Sequence, residues 1–454
     1  MTTPADTTST PPPQQHGISL ITATAVVVAN MVGTGIFTSL GYQVGPLPSG
    51  FAILMLWAVG GVCAFCGALA YGELAAAMPR TGGEYHFLSR TFHPAVGFVA
   101  GWLSATVGFA APIALAAMAF GRYFDGIFPG LDATHVSLIV VWLVALVHVA
   151  GVDVGARFQN TATWLKVALI LVFIGSGMAV FEGQPVSFKP VEGDWKLIAS
   201  QPFAISLVYV MYAYAGWNAT TYIVGEIRQP QRNVPLSIAL GTLIVSALYI
   251  GLNAVFLHVA PMKELGGQID VGHIAATHIF GVTGGKIMSG LICLGLVSCI
   301  SAMTWVGPRV TMAMGQDVRI LAPFAACDTR GVPVAAIFAQ LCIVVTLLLT
   351  ASFDKVLNYV QFSIQLCSFL TVVGLIVLRF TRPDLPRPVR CWGYPVTPLI
   401  FLAISLWMMI YMMQDRPYES LAGLGTIVIG LLLYVISPKN PPAAESVPDD
   451  ARSQ

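Results

Sequence analysis

Two short segments of the chain combine residue types that can offer backbone groups to a ligand. Residues 30–37, NMVGTGIF, place two glycines and a threonine near the middle of an apolar stretch. Residues 212–218, YAYAGWN, alternate small and aromatic side chains in a second apolar stretch. A helix that breaks at such a point turns free N–H and C=O groups toward a cavity, which allows a polar solute to bind at membrane mid-depth.

Lys166 is the third feature whose chemistry needs an explanation. It lies within the apolar stretch 156–181, and a lysine at the centre of a membrane helix costs about 2.5–3.5 kcal/mol. Arg157 precedes it by about 14 Å along a helix. Either the lysine side chain extends to the cytoplasmic interface, or its ammonium has a partner and a role within the membrane.

The composition identifies the kind of chain that must position these residues. Its 454 residues are 56% hydrophobic and 9% charged, and its mean hydropathy is +0.78. Soluble domains carry about 25% charged residues, so a soluble enzyme, a secreted disulfide scaffold and a disordered chain are excluded. The net charge of +1 provides no basic surface for nucleic acid. The partner that the composition implies is a lipid bilayer.

Twelve apolar segments have the length of about 20 residues that a transmembrane helix needs. They are too long, and their loops too short, for the alternating strands of a β-barrel. We therefore predict an all-α polytopic membrane protein with twelve transmembrane helices. The predicted spans are 17–42, 50–76, 95–121, 134–150, 156–181, 201–225, 235–260, 284–314, 332–351, 354–379, 395–413 and 418–436.

The predicted topology places both termini in the cytoplasm. With the N-terminus inside, most Lys and Arg residues fall on the cytoplasmic side. Residues 1–16 and 437–454 are predicted to be disordered cytoplasmic tails, and the first lacks the basic region of a signal peptide. The short loops and tails favour the inner membrane of a prokaryotic cell.

The glycine-rich and aromatic-rich segments fall in the first and sixth predicted spans. Because five is odd, a repeat of five spans reinserts with opposite topology, so spans 1 and 6 become equivalent elements. We predict an inverted repeat of 17–181 and 201–379, followed by two extra helices in 395–436. Each motif alone also fits close helix packing or core aromatics, but their occurrence five spans apart favours two broken helices.

Other classes of membrane protein have little support. None of the eight histidines lies in an HExxH motif, and no Walker A sequence is present, so we expect no metal, no cofactor and no enzymatic activity. Cys63 and Cys66 form a CxxC, which within an apolar helix is better interpreted as packing. Tyr212 could occlude a solute, which favours a carrier over a channel, and the short tails argue against a nutrient sensor.

Charged residues near the predicted cytoplasmic helix ends form a separate group. Its acidic members are Glu73, Glu84, Glu226 and Asp317. We expect them to make structural or inner-gate ion pairs with arginines near the same helix ends, namely Arg80, Arg228, Arg232 and Arg309.

In combination, these motifs resemble those of the amino acid–polyamine–organocation superfamily. Residues 33–37, GTGIF, resemble its GSGIF signature, in which a serine stands where this chain has Thr34. Further similar segments are 71–74, 78–85, 212–218, 226–235, 307–310 and 313–317. The sequence of span 6 is most similar to that of the L-type amino acid transporters and their bacterial relatives. The resemblance implies a leucine-transporter-type fold and transport of amino acids.

The resemblance also implies a substrate-binding set. Its members are Met31, Gly33, Thr34, Gly35, Tyr212, Ala213, Ala215, Gly216 and Asn218. The substrate carboxylate is expected on the amides of residues 33–35 and on the Thr34 hydroxyl, at the positive end of a half-helix. The ammonium is expected on the carbonyls of Met31, Tyr212 and Ala215. The ring of Tyr212 would cover the substrate, and Asn218 would brace the unwound turn.

Lys166 matches a span 5 lysine that contacts the span 1 break in sodium-independent relatives. The resemblance therefore implies sodium independence, with the ammonium in place of a coupling cation. Apart from Lys166, spans 3, 6, 8 and 10 carry no charge near mid-membrane, which favours a neutral amino acid substrate. We expect exchange by alternating access. Proton symport through Lys166 and a polyamine or other amine permease remain alternatives.

The mammalian L-type relatives bind a glycoprotein subunit through a cysteine after span 3. Residues 122–133 contain no cysteine. No disulfide-linked subunit is therefore expected for this chain.

Overall fold

A computed structural model describes residues 18–80, 82–151, 156–180 and 182–437, with the backbone alone at 156–160, 313 and 317. The predicted tails, apart from Ser437, lie outside these residues. Within them the structure is all-helical, and the one strand-like pairing is a parallel bridge between Ile18 and Ile227.

The described residues form eighteen α-helices, joined by short loops and single helical turns. They are α1 Leu20–Met31, α2 Gly35–Thr38, α3 Leu40–Gln43, α4 Gly50–Ala77, α5 Gly83–Thr91, α6 Pro94–Leu103, α7 Ala110–Ile127, α8 Ala133–Val149, α9 Ala156–Met178, α10 Asp194–Ile198, α11 Gln201–Tyr214, α12 Pro230–Val259, α13 Met262–Leu265, α14 Val271–Asp317, α15 Val334–Thr350, α16 Phe353–Thr381, α17 Val396–Asp415 and α18 Pro417–Ile436.

Within the described residues, nine helical segments are long and apolar enough to cross a membrane. Two shorter apolar helices, α8 and α15, add 17 residues each. The prediction of a polytopic all-α membrane protein is therefore confirmed. The helices overlap the predicted spans, but the number of crossings, twelve, stays a prediction.

Local signals in the sequence explain where several helices begin and where one breaks. The Ser49 hydroxyl accepts the Ala52 N–H at the start of α4, and the Asp132 carboxylate accepts the His135 N–H at the start of α8. Both are N-cap bonds that satisfy an otherwise unpaired donor. The long α14 is interrupted at Gly281, whose φ of 73° lies outside the helical region.

The helices pack around α4, which lies against α11, α12, α16 and α17. A second group places α14 against α7 and α9. The short helices α2 and α3 lie between these groups and contact α11. The halves of the first and sixth spans therefore meet inside the bundle.

An aromatic and ionic cluster closes the end of the bundle that the topology prediction places outside. The ring of Tyr209 stacks on Tyr42 at 5.1 Å, and Tyr42 stacks on Phe353 at 5.8 Å. The Tyr209 hydroxyl donates to Asp354, which also pairs with Arg416 at 3.0 Å. The cluster joins α3, α11, α16 and the start of α18.

An ion cluster ties the opposite end together around Glu73, which is only 1% exposed. Its carboxylate pairs with Arg379 at 2.5 Å and Arg387 at 3.2 Å, and it accepts the backbone N–H of Cys391 at 2.6 Å. The guanidinium of Arg379 also lies 3.6 Å from the ring centre of Tyr394. Because a buried ion pair must have well-placed partners to be tolerated, this cluster fixes α4 to α16 and the loop after it.

Candidate functional site

The first break separates α1, which ends at Met31, from α2, which begins at Gly35. Thr34 is buried at the break. Among the described residues, no acceptor takes the amide hydrogens of Gly33 and Thr34, whereas the Val32 N–H bonds to Val28. The break therefore presents unpaired backbone donors inside an apolar bundle, which favours an anionic ligand group.

The second break follows Tyr214, the last residue of α11. Ala215 turns to an extended conformation, and Gly216 has a φ of 98°, which strongly favours glycine. The Ala215 N–H bonds to the Tyr212 carbonyl at 3.1 Å. Beyond the break the chain continues as a single helical turn, Ala219–Tyr222.

Asn218 braces this turn through its backbone. Its carbonyl accepts both the N–H of Thr221 at 2.9 Å and the Thr221 hydroxyl at 2.7 Å. The Asn218 side chain lies beside the hydroxyl of Tyr222. Hydrogen bonding at this position was predicted, but the sequence did not indicate that the backbone carbonyl would be the main acceptor.

The two breaks lie in direct contact. A Cβ atom added to Gly35 would come within 2.6 Å of the Ala213 Cα, and one added to Gly216 would come within 3.0 Å of the Asn30 carbonyl oxygen. Each glycine therefore allows one broken helix to approach the backbone of the other. This reciprocal contact places the two breaks, which carry the substrate-binding set implied by the resemblance, next to each other.

Tyr249 of α12 connects both breaks, and it was not among the predicted site residues. The hydroxyl of Tyr249 lies 2.6 Å from the Met31 carbonyl oxygen and 3.1 Å from that of Ala213. Both carbonyls belong to the last turn of a helix, where the usual intrahelical donor is absent. Tyr249 is fully buried. In the sequence it resembles any core aromatic of a membrane helix, so no local signal marked it.

Tyr212 lies beside the first break, and its covering role stays a prediction. Its side chain is 9% exposed and is within hydrogen-bonding reach of the Thr34 side chain. Cys299 comes from α14 and lies 4.0 Å from a Cβ built on Gly33. The wall of the site therefore includes α14, which the predicted residue set did not contain.

Lys166 points from α9 toward the first break. Its side chain is 6% exposed, its Nζ lies 3.4 Å from the Ala29 carbonyl oxygen, and the Cys299 Sγ is 3.6 Å away. A small cavity between α9, α14 and the break is lined by Gly33, Lys166 and Cys299, among other residues. The burial of Lys166 does not agree with a side chain that extends to the cytoplasmic interface. Its contacts with Ala29 and Cys299 fit the other interpretation, in which the ammonium has partners inside the bundle.

The acidic residues near the predicted cytoplasmic ends have partners that the sequence did not identify. Glu73 forms ion pairs, but with Arg379 and Arg387 rather than with the arginines nearest in sequence. For Glu84 the expected ion pair is wrong within the described residues, because its carboxyl group accepts hydroxyl hydrogens instead. The Asp317 side chain lies outside the described residues.

Comparison with known proteins identifies relatives across most of the chain. The family model for amino acid permease matches residues 18–433. The chain is 26% identical over 432 residues to b(0,+)-type amino acid transporter 1 of Mus musculus, covering 93% of this chain and 88% of that protein. It is 25% identical over 429 residues to Large neutral amino acids transporter small subunit 2 of Rattus norvegicus, covering 92% and 80%. It is 26% identical over 446 residues to the Cystine/glutamate transporter of Pongo abelii, covering 93% and 86%.

Substitution of Gly35 by alanine should lower the stability of the protein, whereas the same substitution of Gly33 should not. Gly35→Ala places a Cβ against the Ala213 Cα and should lower the free energy of unfolding by about 1–3 kcal/mol. Gly33→Ala should fold normally, because its nearest atoms are 3.9 Å and 4.0 Å away. Thermal unfolding of both purified variants checks this. Equal stability of the two would contradict the close contact between the breaks.

Removal of the Tyr249 hydroxyl should impair the site more than it impairs folding. Tyr249→Phe leaves the Met31 carbonyl without its donor, at a cost of about 1–3 kcal/mol. Tyr214→Phe is the matched control, since that hydroxyl bonds to the Trp57 carbonyl of α4 at 3.1 Å rather than to a carbonyl of a broken helix. Solute binding and thermal unfolding are measured on both variants. If the two variants lose the same amount of binding, Tyr249 has no special role.

Proposed function

This chain belongs to the amino acid permease family, and from that premise we propose that it exchanges neutral L-amino acids across a membrane without sodium. As a member of this family it is a transporter of amino acids and not an enzyme. Substrate charge, ion coupling and exchange go beyond the family assignment. They rest on the contacts of the two breaks and of Lys166.

The contact between the two breaks is the observation that carries the proposal. The unpaired amides of Gly33 and Thr34, with the first amide of α2 at Gly35, form the proposed carboxylate site. The carbonyls of Met31, Tyr212 and Ala215 form the proposed ammonium site. An α-amino acid carries both groups on one carbon, so a single molecule can bridge the two broken helices.

Four residues at the second break complete the proposed site. Tyr212 covers the substrate, and Ala213 and Gly216 provide the close backbone contact that keeps the two half-sites together. Asn218 holds the turn after the second break. Closure of both half-sites on the substrate then permits the reorientation of alternating access.

A neutral side chain is proposed because the described contacts of the breaks include one charged group, Lys166. A cationic substrate side chain would need a carboxylate nearby, and apart from the Lys166 ammonium the described contacts of the two breaks are hydroxyl, thiol, amide and carbonyl groups. The Lys166 ammonium is already directed to the Ala29 carbonyl.

Sodium independence is proposed from the same lysine. A coupling cation at the first break would need carbonyl oxygens as ligands, and the Lys166 ammonium lies 3.4 Å from one such oxygen, that of Ala29. A fixed positive charge at this place repels a second cation. Proton symport, with Lys166 as the proton carrier, is the second candidate, because this lysine is buried beside the first break.

The membrane arrangement proposed for this function has twelve helices with both termini in the cytoplasm. Residues 17–181 and 201–379 form the two inverted five-helix repeats, and 395–436 form the two extra helices. The proposal is supported by the meeting of the first and sixth spans at their breaks. The proposed location is the inner membrane of a prokaryotic cell, without a disulfide-linked subunit.

The function is tested by uptake of radiolabelled neutral amino acids into sodium-free proteoliposomes. Vesicles loaded with unlabelled substrate should accumulate label much faster than empty vesicles, because the empty carrier reorients slowly. Uptake into empty vesicles that collapses with a proton ionophore would instead establish symport. No uptake of any amino acid by folded protein would contradict the proposal.

Replacement of Lys166 should strongly reduce transport while the protein remains folded. Lys166→Met keeps most of the side-chain volume that packs against Gly295 but removes the charge, so exchange should fall at least about tenfold. Lys196→Met, at an exposed position, is the control and should behave as wild type. Normal sodium-independent exchange by Lys166→Met would contradict the proposed role.

A further inference from the structure

A second buried acid lies at the inner end of the bundle, in surroundings unlike those of Glu73. Glu84 is in the first turn of α5 and is 6% exposed. Its Oε1 accepts the hydroxyl hydrogen of Tyr71 at 2.5 Å and that of Ser368 at 2.9 Å. Three elements therefore meet at this carboxyl group: α4 through Tyr71, α5 through Glu84 and α16 through Ser368.

The groups facing Glu84 are neutral. Tyr71 faces it from α4, Cys367 and Ser368 from α16, and Tyr222 from the turn after the second break. Among the described residues, no Lys or Arg forms an ion pair with it, in contrast to the two arginines on Glu73. Burial without a cation favours the neutral acid and raises the pKa of Glu84, although the hydrogen bonds from Tyr71 and Ser368 lower it in part.

Two titratable residues near Glu84, His86 and Glu226, are weaker candidates for a buried proton-binding site. Burial, together with Arg80 and Arg90, lowers the pKa of His86 to about 4, so this imidazole is neutral near pH 7. Glu226, after the second break, is exposed. Glu84 is therefore the buried acid in this region that has no ion-pair partner among the described residues.

Two contacts connect Glu84 to the second break. The ring of Tyr71 packs edge-on against Trp217 at 4.6 Å, directly after Gly216. The ring of Tyr222 lies against Gly83, where an added Cβ would come within 2.6 Å of it, and its hydroxyl lies beside the Asn218 side chain. Movement of the second break must therefore disturb the contacts around Glu84.

We propose that Glu84 is a proton-binding site whose occupancy holds the inner end of the transporter closed. In the closed state the carboxyl group carries its proton and joins α4, α5 and α16 through Tyr71 and Ser368. When the second break moves and water enters, Glu84 releases that proton to the cytoplasmic solution, and it takes one up again on closing. The link to transport rests on the function proposed above, whereas the proton site itself does not.

The direction of the pH effect follows from linkage. A closed state that binds a proton more tightly than the open state is favoured at low pH. Opening should become easier as the pH rises above the ordinary glutamate value of about 4.3, by at most about tenfold per pH unit, up to the pKa of the closed state. Above that value the pH dependence should end.

Infrared difference spectroscopy tests the proton site directly on the folded protein in lipid. We expect the C=O stretching band of a protonated, buried carboxyl group at pH 7, absent in Glu84→Gln and retained in the exposed control Glu226→Gln. Ser368→Ala keeps the acid but removes one hydrogen bond, so the band should shift. A wild-type spectrum without the band, or a band that persists in Glu84→Gln, would overturn the proton site.

The pH profile of exchange in proteoliposomes tests the coupling. Exchange by wild type and Glu226→Gln should rise with pH in the window above about pH 4.3, while the profile of Glu84→Gln should be flat. Equal profiles for wild type and Glu84→Gln would overturn the coupling. Absence of uptake by wild type at every pH would overturn the proposed transport function, and the infrared result would then decide the proton site alone.

Discussion

Backbone polar groups freed by a break must find partners inside an apolar bundle, and the arrangement of this protein follows from that requirement. The two broken helices contact each other directly, because Gly35 and Gly216 allow their backbones to approach closely. The Tyr249 hydroxyl lies within hydrogen-bonding distance of a carbonyl oxygen of each helix, that of Met31 in α1 and that of Ala213 in α11. The amides of Gly33 and Thr34 have no acceptor among the described residues. An unpaired buried polar group costs about 1–3 kcal/mol. A bound carboxylate would remove this cost, and these donors are therefore the proposed carboxylate site.

The buried ionisable groups of the bundle differ in how their burial is compensated. Glu73 has two arginines and is a structural anchor. Lys166 has a carbonyl oxygen and a thiol, and Glu84 has two hydroxyl groups. The latter two lie against the breaks or their neighbours, where a change of conformation alters their surroundings. Ionisable groups with incomplete partners therefore lie close to the two breaks, which are the parts that the proposed transport cycle moves.

Hydropathy and small-residue motifs were sufficient to predict the helices and the two breaks, because both depend on local sequence. The reciprocal fit of Gly35 with Ala213 and of Gly216 with Asn30 depends on helix rotation, which no single segment encodes. For the same reason the role of Tyr249 and the arginine partners of Glu73 were missed, and an ion pair was wrongly expected for Glu84. The position of Lys166 against the first span became clear only from the packing of α9.

A cryo-electron microscopy structure of the protein with a neutral L-amino acid bound would show whether the two breaks form the substrate site. We expect ligand density between the two breaks, with the carboxylate within hydrogen-bonding distance of the Gly33 and Thr34 amides and the ammonium beside the Met31 carbonyl. Well-defined ligand density elsewhere in the bundle, with the amides of the first break still unpaired, would contradict this expectation.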